Sequence, residues 1–366
     1  MSLPWLVADV GGTNARFGLV TRRGGQPEAV TVLDVSQHLG LADAVAAYLA
    51  EHAGGVRPGA ACLAIAGPVD RDRYRLTNAG WSGSVTDLGI PRTVLLNDFE
   101  ALAISLPHLA GGDLVSLGGP PPPPGLTKAV LGPGTGLGVA GLVPVREGWL
   151  PVAGEGGHVA VPVVTDLEME IVRALRADGL PYVDAEHLLS GTGLPRLHRG
   201  LALVRGVAPA ARTRTAPQET AGETARTADT LTTGARTTAS GLTKASGSTA
   251  ASGLTAASGL TAAQITSSDD PLCVETVEVF LALLGGFAGG VALTFGARGG
   301  VYLGGGVLPR LAARVPGSAF RDRFETTAPA LRDYAAAIPT SLIVAEQPAL
   351  TGAAAWLAQR FPEVEL

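Results

Sequence analysis

Three glycine-rich segments hold the residue types best suited to chemistry. The first is Asp9-Val10-Gly11-Gly12-Thr13-Asn14-Ala15-Arg16, at the end of an apolar run. An acidic residue closes the run, and two glycines let the next stretch of backbone approach a ligand with no Cβ in the way. Hydroxyl, amide and guanidinium groups follow within four residues. Free backbone N–H groups and a cation suit phosphate oxygens, and Asp9 is placed to hold a hydrated Mg2+. The second segment, Leu131-Gly132-Pro133-Gly134-Thr135-Gly136-Leu137-Gly138, again closes one apolar run and opens another. The third is Gly304-Gly305-Gly306. Neither matches the G-x-x-x-x-G-K-[ST] loop, and Lys128 precedes its strand and belongs at the far end. A dinucleotide fingerprint fails as well, because Val139 stands at the third glycine position. Two Gly-rich hairpin turns facing each other, plus a third turn, suit a nucleotide gripped between two lobes.

Polar residues between these turns suit a polyol. Asn97-Asp98 ends a strand, and Phe99-Glu100-Ala101-Leu102 starts a helix. A carboxylate fixed there can act as a general base toward a hydroxyl, or it can simply cap the helix; spacing leaves both readings open. Gly154-Glu155-Gly156-Gly157-His158 sets a carboxylate and an imidazole three apart in a loop. Asp184-Ala185-Glu186-His187 opens a helical stretch that ends at Ser190-Gly191. Neither group has a second close His or Cys, so neither reads as a metal site, and His158 taken alone reads as a loop residue.

The elements that must position these residues alternate between strand and helix, which gives an α/β class. Strands are expected at 5–10, 15–20, 60–65, 93–96, 129–131 and 301–303, with a turn at 22–26 making a hairpin and a helix over 42–52. The uncharged run 279–297 has five glycines and reads as a buried helix with small residues at its packing face, not as a membrane span. Two segments break the pattern. Pro120–Pro124 is five prolines in a row, hence an extended surface loop, placed by this reading between the lobes. Of the 61 residues 208–268, 44 are Ala, Thr, Ser or Gly, and ASGLT recurs at 239–243, 251–255 and 257–261. Such a segment buries too little apolar surface to offset its ordering entropy, and a disordered insertion is expected.

Composition narrows the partners. The chain of 366 residues is 46% hydrophobic and carries 27 Lys+Arg against 32 Asp+Glu, a net charge of −5. That balance gives no electrostatic reason for nucleic acid or an anionic membrane as partner. Cys62 and Cys273 are far apart, which argues against a disulfide framework or a cysteine zinc site. The N-terminal run meets Asp9 too soon for a signal peptide, and a cytoplasmic location is expected.

Taken together and in order, eight segments resemble the non-ROK type of bacterial glucokinase, an ATP-dependent sugar kinase of the actin-like ATPase (ribonuclease H-like) superfamily. They are LVADVGGTNARFGLV (6–20), AIAGPV (64–69), LTNAGW (76–81), LLNDFEALA (95–103), LGPGTGLGVAGLV (131–143), PVAGEGGHV (151–159), DAEHLLSGTGL (184–194) and GGVYLGGGVLPR (299–310). The resemblance implies a two-lobed fold with an interlobe cleft: a small lobe of 1–108 plus about 346–366, and a large lobe of 109–345 carrying the 208–268 insertion. It implies that Asp9, Gly11, Gly12, Thr13 and Asn14, with Gly134, Thr135 and Gly136, hold the ATP phosphates. Gly304 and Gly305 match the adenosine-side turn. Asn78, Asn97, Asp98, Glu155, His158 and Glu186 match residues that hold the sugar, Asp98 also being the base for its 6-hydroxyl. Mg2+ would sit near Asp9 through water. Glucose and ATP are then the expected partners, and a homodimer stays open.

Departures and rivals remain. The long insertion has no counterpart in compact family members, and Thr192 stands where many relatives have proline. A ROK-type kinase for another hexose shares the Glu-x-Gly-His pattern, but residues 159–200 lack the cysteines of its zinc site. A non-catalytic, nucleotide-dependent interaction protein is the other rival, and the complete sugar set counts against it.

Overall fold

The computed structural model describes residues 3–76, 79–207 and 259–364. Asn78 and residues 208–258 lie outside them, and so do the expectations that fall on those positions.

The first sheet has the order β3-β2-β1-β4-β8. β1 (Trp5–Val10) and β2 (Asn14–Val20) form a hairpin whose turn is the first glycine segment, and β3 (Glu28–Asp34) extends it antiparallel. α1 (Leu41–Glu51) then leads to β4 (Ala60–Ile65), which pairs parallel with β1. β4 is buried along its whole length, as a central parallel strand with both faces covered should be. β5 (Val69–Asp70), β6 (Arg73–Arg75) and β7 (Ser82–Ser84) make a small separate sheet. The chain returns in β8 (Thr93–Asn97), parallel to β4, and continues without a break into α2 (Asp98–Ser105).

The second sheet repeats the plan. Its order is β12-β11-β10-β13-β14-β9. After the edge strand β9 (Leu114–Gly118), β10 (Lys128–Pro133) and β11 (Leu137–Val145) form a hairpin around the second glycine segment. β12 (Gly148–Gly154) extends that hairpin. α3 (Asp166–Ala177), α4 (Ala185–Leu188), α5 (Gly193–Arg205), α6 (Ala262–Ser267) and α7 (Pro271–Phe295) follow. β13 (Val301–Leu303) then pairs parallel with β10. α8 (Phe320–Phe324) and α9 (Arg332–Ala336) precede β14 (Thr340–Ile343), parallel to β13. Hairpin, third antiparallel strand, then two parallel strands is thus the order in both sheets, and each glycine hairpin closes the first strand of its unit.

α10 (Pro348–Arg360) closes the chain and lies against α2, where Gly352 meets the Ala101 carbonyl so closely that no Cβ fits. A single apolar cluster joins Trp5, Val7 and Leu96 of the first sheet to Val130, Leu142 and Tyr302 of the second through Leu102, Leu350 and Leu357 of these two helices. α2 is therefore wedged into the core between the sheets.

α7 is long and apolar enough to cross a membrane by length and composition, with mean hydropathy 1.8, but 72% of that stretch is buried in the protein. Gly285 and Gly289 lie on its packing face, against the backbone of Phe320 and Phe324 at the two ends of α8. This matches the buried helix expected from the sequence.

Three expectations are corrected. Residues 262–267, included in the low-complexity stretch, form α6: Thr261 caps it with Gln264 in a capping box, and Ile265 is fully buried. The five prolines connect β9 to β10, two strands of one sheet, rather than bridging the lobes, and they enter β10 at the end away from its glycine turn. Lys128 does stand at that far end, but as the first residue of β10, where its buried ammonium donates to the Gly299 carbonyl (3.1 Å) and the Tyr302 hydroxyl (2.9 Å).

Candidate active site

Strand register brings the first set of groups together. Asp9 on β1 pairs with Ala64 on β4, and Ile65 pairs with Asn97 on β8. Asp9 and Asn97 stand two strands apart at the same sheet end, about 10 Å between backbones. Asn97 caps α2: its Oδ1 accepts the Phe99 N–H (2.9 Å), and Glu100 Oε2 reciprocally accepts the Asn97 N–H (2.8 Å). Capping is therefore the task of Asn97, and Asp98 is the first helical residue. Its Oδ1 shares the Phe99 N–H at 3.0 Å. Burial, and next the negative charge of Asp9, push the Asp98 carboxyl up to about 7, against the hydrogen bonds from Phe99 and Asn97. Asp9 is also raised, chiefly by burial, and Arg16, whose Nη1 lies 3.5 Å away, works against that rise.

The two hairpin turns keep backbone donors unused. In the first, the Gly11 N–H bonds the Asn14 carbonyl (2.9 Å) and the Val35 N–H takes the Thr13 carbonyl (2.9 Å). In the second, the Gly134 N–H bonds the Gly136 carbonyl (2.8 Å), and the Gly134 carbonyl accepts the Gly191 N–H (2.8 Å). The N–H groups of Gly12, Thr13, Thr135 and Gly136 make no hydrogen bond among the described residues. Main-chain donors left this way at partly exposed turns are what an anion requires. Gly11 and Gly134 have neither a positive φ nor a backbone close enough to exclude a Cβ, so the fold itself does not demand glycine there.

Other glycines are demanded by packing, and they seat α2. A Cβ on Gly138 would run into the Phe99 ring, and one on Gly304 would come within 2.9 Å of Leu102. α2 thus rests directly on the second hairpin and on the turn after β13. That turn is held to the hairpin strand by Gly304 N–H to Leu131 O (2.9 Å) and Val307 N–H to Pro133 O (3.0 Å).

Glu155, His158 and Glu186 gather at the same end. Gly156 and Gly157 pack tightly on Val139 and Leu137 of β11, which fixes the short 3-10 turn carrying His158. Asp184 Oδ2 lies 3.1 Å from His158 Nδ1. The His158 imidazole is raised above its usual value, first by this hydrogen bond and further by the charges of Glu186, Asp184 and Glu155, against some burial. Glu186 also reaches the second hairpin, its Oε2 accepting the Leu137 N–H at 2.8 Å. Sequence reasoning missed Asp184 as a site group, although an Asp three residues before His187 marks a helix N-cap. No group of three or more His, Cys, Asp or Glu side chains among the described residues could hold a metal ion.

Comparison with known proteins adds independent findings. The glucokinase family model matches residues 6–360. The glucokinase of Saccharophagus degradans is 40% identical over 364 residues, covering 97% of this chain and 98% of the relative. Among solved structures, a glucokinase from an Antarctic psychrotroph superposes with a TM-score of 0.75 at 31% identity, covering 97% of this chain and 98% of the other. A ROK family glucokinase from Streptomyces griseus, solved with glucose and AMPPNP, shares the fold with a TM-score of 0.57 at 18% identity, covering 98% and 99% of the two chains.

Proposed function

The chain belongs to the glucokinase family and phosphorylates glucose from ATP, and from that premise we propose how its residues divide the work. Asp98 is the general base. The sugar 6-oxygen attacks the γ-phosphorus, the bond from that phosphorus to the ADP oxygen breaks, and the 6-hydroxyl proton passes to the Asp98 carboxylate. A carboxyl pushed up to about 7 is a far better proton acceptor near neutral pH than an ordinary aspartate. The observation that carries this reading is that Asn97, not Asp98, forms the capping box of α2, while α2 rests on the second hairpin and on the turn after β13.

The unused N–H groups at Gly12, Thr13, Thr135 and Gly136, with Gly11, Asn14 and Gly134, hold the ATP phosphates, while Gly304 and Gly305 take the adenosine side. Phosphoryl transfer is governed by such positioning and charge neutralisation more than by covalent chemistry. The Asn97 amide N–H groups, Glu155, His158 and Glu186, together with Asn78, take the remaining sugar hydroxyls. Asp9 is a hard, partly buried carboxylate near Asp98, with Arg16 at 3.5 Å, and with no group of three ligands around it among the described residues it fits a Mg2+ held mostly by water and phosphate. Bound there, the ion would neutralise phosphate charge.

Residues 1–108 with 346–366 and residues 109–345 act as the two lobes, and closure between them excludes water from the phosphoryl acceptor. The setting is cytoplasmic, with glucose and ATP as partners and neither nucleic acid nor membrane; a homodimer would be read by light scattering.

A coupled ADP-release assay with and without glucose tests the reaction, and Asp98→Asn tests the base. The variant should bind nucleotide normally while turnover falls roughly 10²–10⁴-fold. A near wild-type rate in that variant removes the assignment.

A further inference from the structure

We propose that Asp184 is the positioning residue of the sugar subsite, its Oδ2 accepting the Nδ1–H of His158 so that Nε2 is left for a sugar hydroxyl. The proposal rests on the reading of His158 as a sugar ligand.

The side chain of Asp184 is 5% exposed, whereas that of His158 is 53% exposed. A carboxylate this buried, on a segment where Val183, Ala185 and Leu188 are buried too, must have its oxygens satisfied. Oδ1 accepts the His187 N–H (2.8 Å) and His187 Nδ1 reciprocally accepts the Asp184 N–H (3.3 Å), which completes the capping box of α4. Oδ2 is not needed for the cap. Its hydrogen bond goes to an imidazole 26 residues earlier in the chain.

The two segments are also zipped by their backbones, with Ala160 bridging Asp184 and the Ala185 N–H bonding the Val159 carbonyl at 2.9 Å. The partner of one imidazole nitrogen decides which nitrogen carries the proton and how the ring is turned. His158 Nε2 has no hydrogen bond among the described residues. Glu155 from its own turn and Asp184 and Glu186 from the α4 segment face the imidazole. His187 of α4 and Arg196 of α5 are the other titratable and charged groups beside Asp184. Since Glu186 holds the Leu137 N–H, one short helix sets both the imidazole and the phosphate-side hairpin.

The test uses the full-length protein with Asp184→Asn, Asp184→Ser, His158→Ala and the double variants. Asn and Ser both cap helices well, so α4 keeps its cap while His158 loses its carboxylate. The expected result is a rise of about tenfold in KM for glucose, with kcat and KM for ATP little changed. His158 should titrate at lower pH by NMR in Asp184→Asn. His158→Ala should raise the glucose KM by itself, and Asp184→Asn should add nothing in that background. An equal rise in both backgrounds would mean Asp184 acts through the fold, which overturns the proposal. An unchanged KM in Asp184→Asn, where His158→Ala does raise it, overturns it too. If His158→Ala leaves the glucose KM unchanged, the sugar-subsite reading itself fails, and the role of Asp184 falls with it.

Discussion

The carboxyl of Asp98 has two consequences that can be measured separately. Because burial and the charge of Asp9 push it up to about 7, the acid limb of kcat/KM should have its midpoint near neutrality. A midpoint near 4 would mean that another group controls the profile. The same shift bears on stability. A group whose folded pKa is raised above its unfolded value contributes stability below the unfolded pKa, and that contribution is lost as pH rises through the folded pKa. Ionised Asp98 is thus a strain on the fold above about pH 7, worth a few kcal/mol at most. Asp98→Asn should therefore have a higher Tm than the wild type at pH 8 and an equal one near pH 4. A Tm unchanged at both pH values would show that the carboxyl is not destabilised. The residue types around Asp98 were legible in the sequence, but the choice between base and cap was not. Either role puts a carboxylate at a strand-to-helix junction, and the structure gives the capping box to Asn97 and Glu100.

At the scale of elements, α2 is placed by contact with bare glycines as much as by its own sequence. Gly138→Ala would drive a methyl group into the Phe99 ring and lift the helix from the second hairpin. Overpacking of this kind costs about 1–3 kcal/mol. If Asp98 is the base, a displacement of about 1 Å there can cost on the order of 10² in rate. We expect kcat to fall far more than Tm suggests, with ATP still bound; an unaltered kcat would show that α2 does not depend on this seat. Strands such as Ala60–Ile65 were legible to the residue because a strand covered on both faces reads as an unbroken apolar run. α6 was not, since its Ala, Ser and Thr content matches the low-complexity stretch before it. Its only signals are the capping pair Thr261 and Gln264 and the single apolar Ile265.

For the whole molecule, the boundary of the insertion becomes a testable line. Replacing 208–258 with a short Gly-Ser linker should leave activity and Tm nearly unchanged. Extending the deletion through 267 removes Ile265, packed in the core of the larger sheet's helices, and should cost at least the 2–5 kcal/mol typical of emptying such a site. Equal stability of the two deletions would show that α6 is dispensable. The five prolines lie at the far end of the second sheet from its glycine hairpin, so shortening that loop bears on the sheet edge rather than on the site.

The amino-acid sequence alone determined the residue types and the local elements: glycine turns of a kind that suits phosphate, a carboxylate beside an amide of a kind that suits a polyol, and strands and helices set by short-range apolar periodicity. It also carried, through eight ordered segments, the resemblance to glucokinases. Tertiary structure decided what depends on groups distant in the chain. The repeated strand order brings the hairpins at 10–14 and 133–137 to corresponding places in the two sheets. Desolvation and the neighbouring Asp9 set the basicity of Asp98, and Asp184 meets His158 across 26 residues. Periodicity reports which face of an element is buried, but not against which partner. Burial and charge act through space, and no pattern along one segment encodes them.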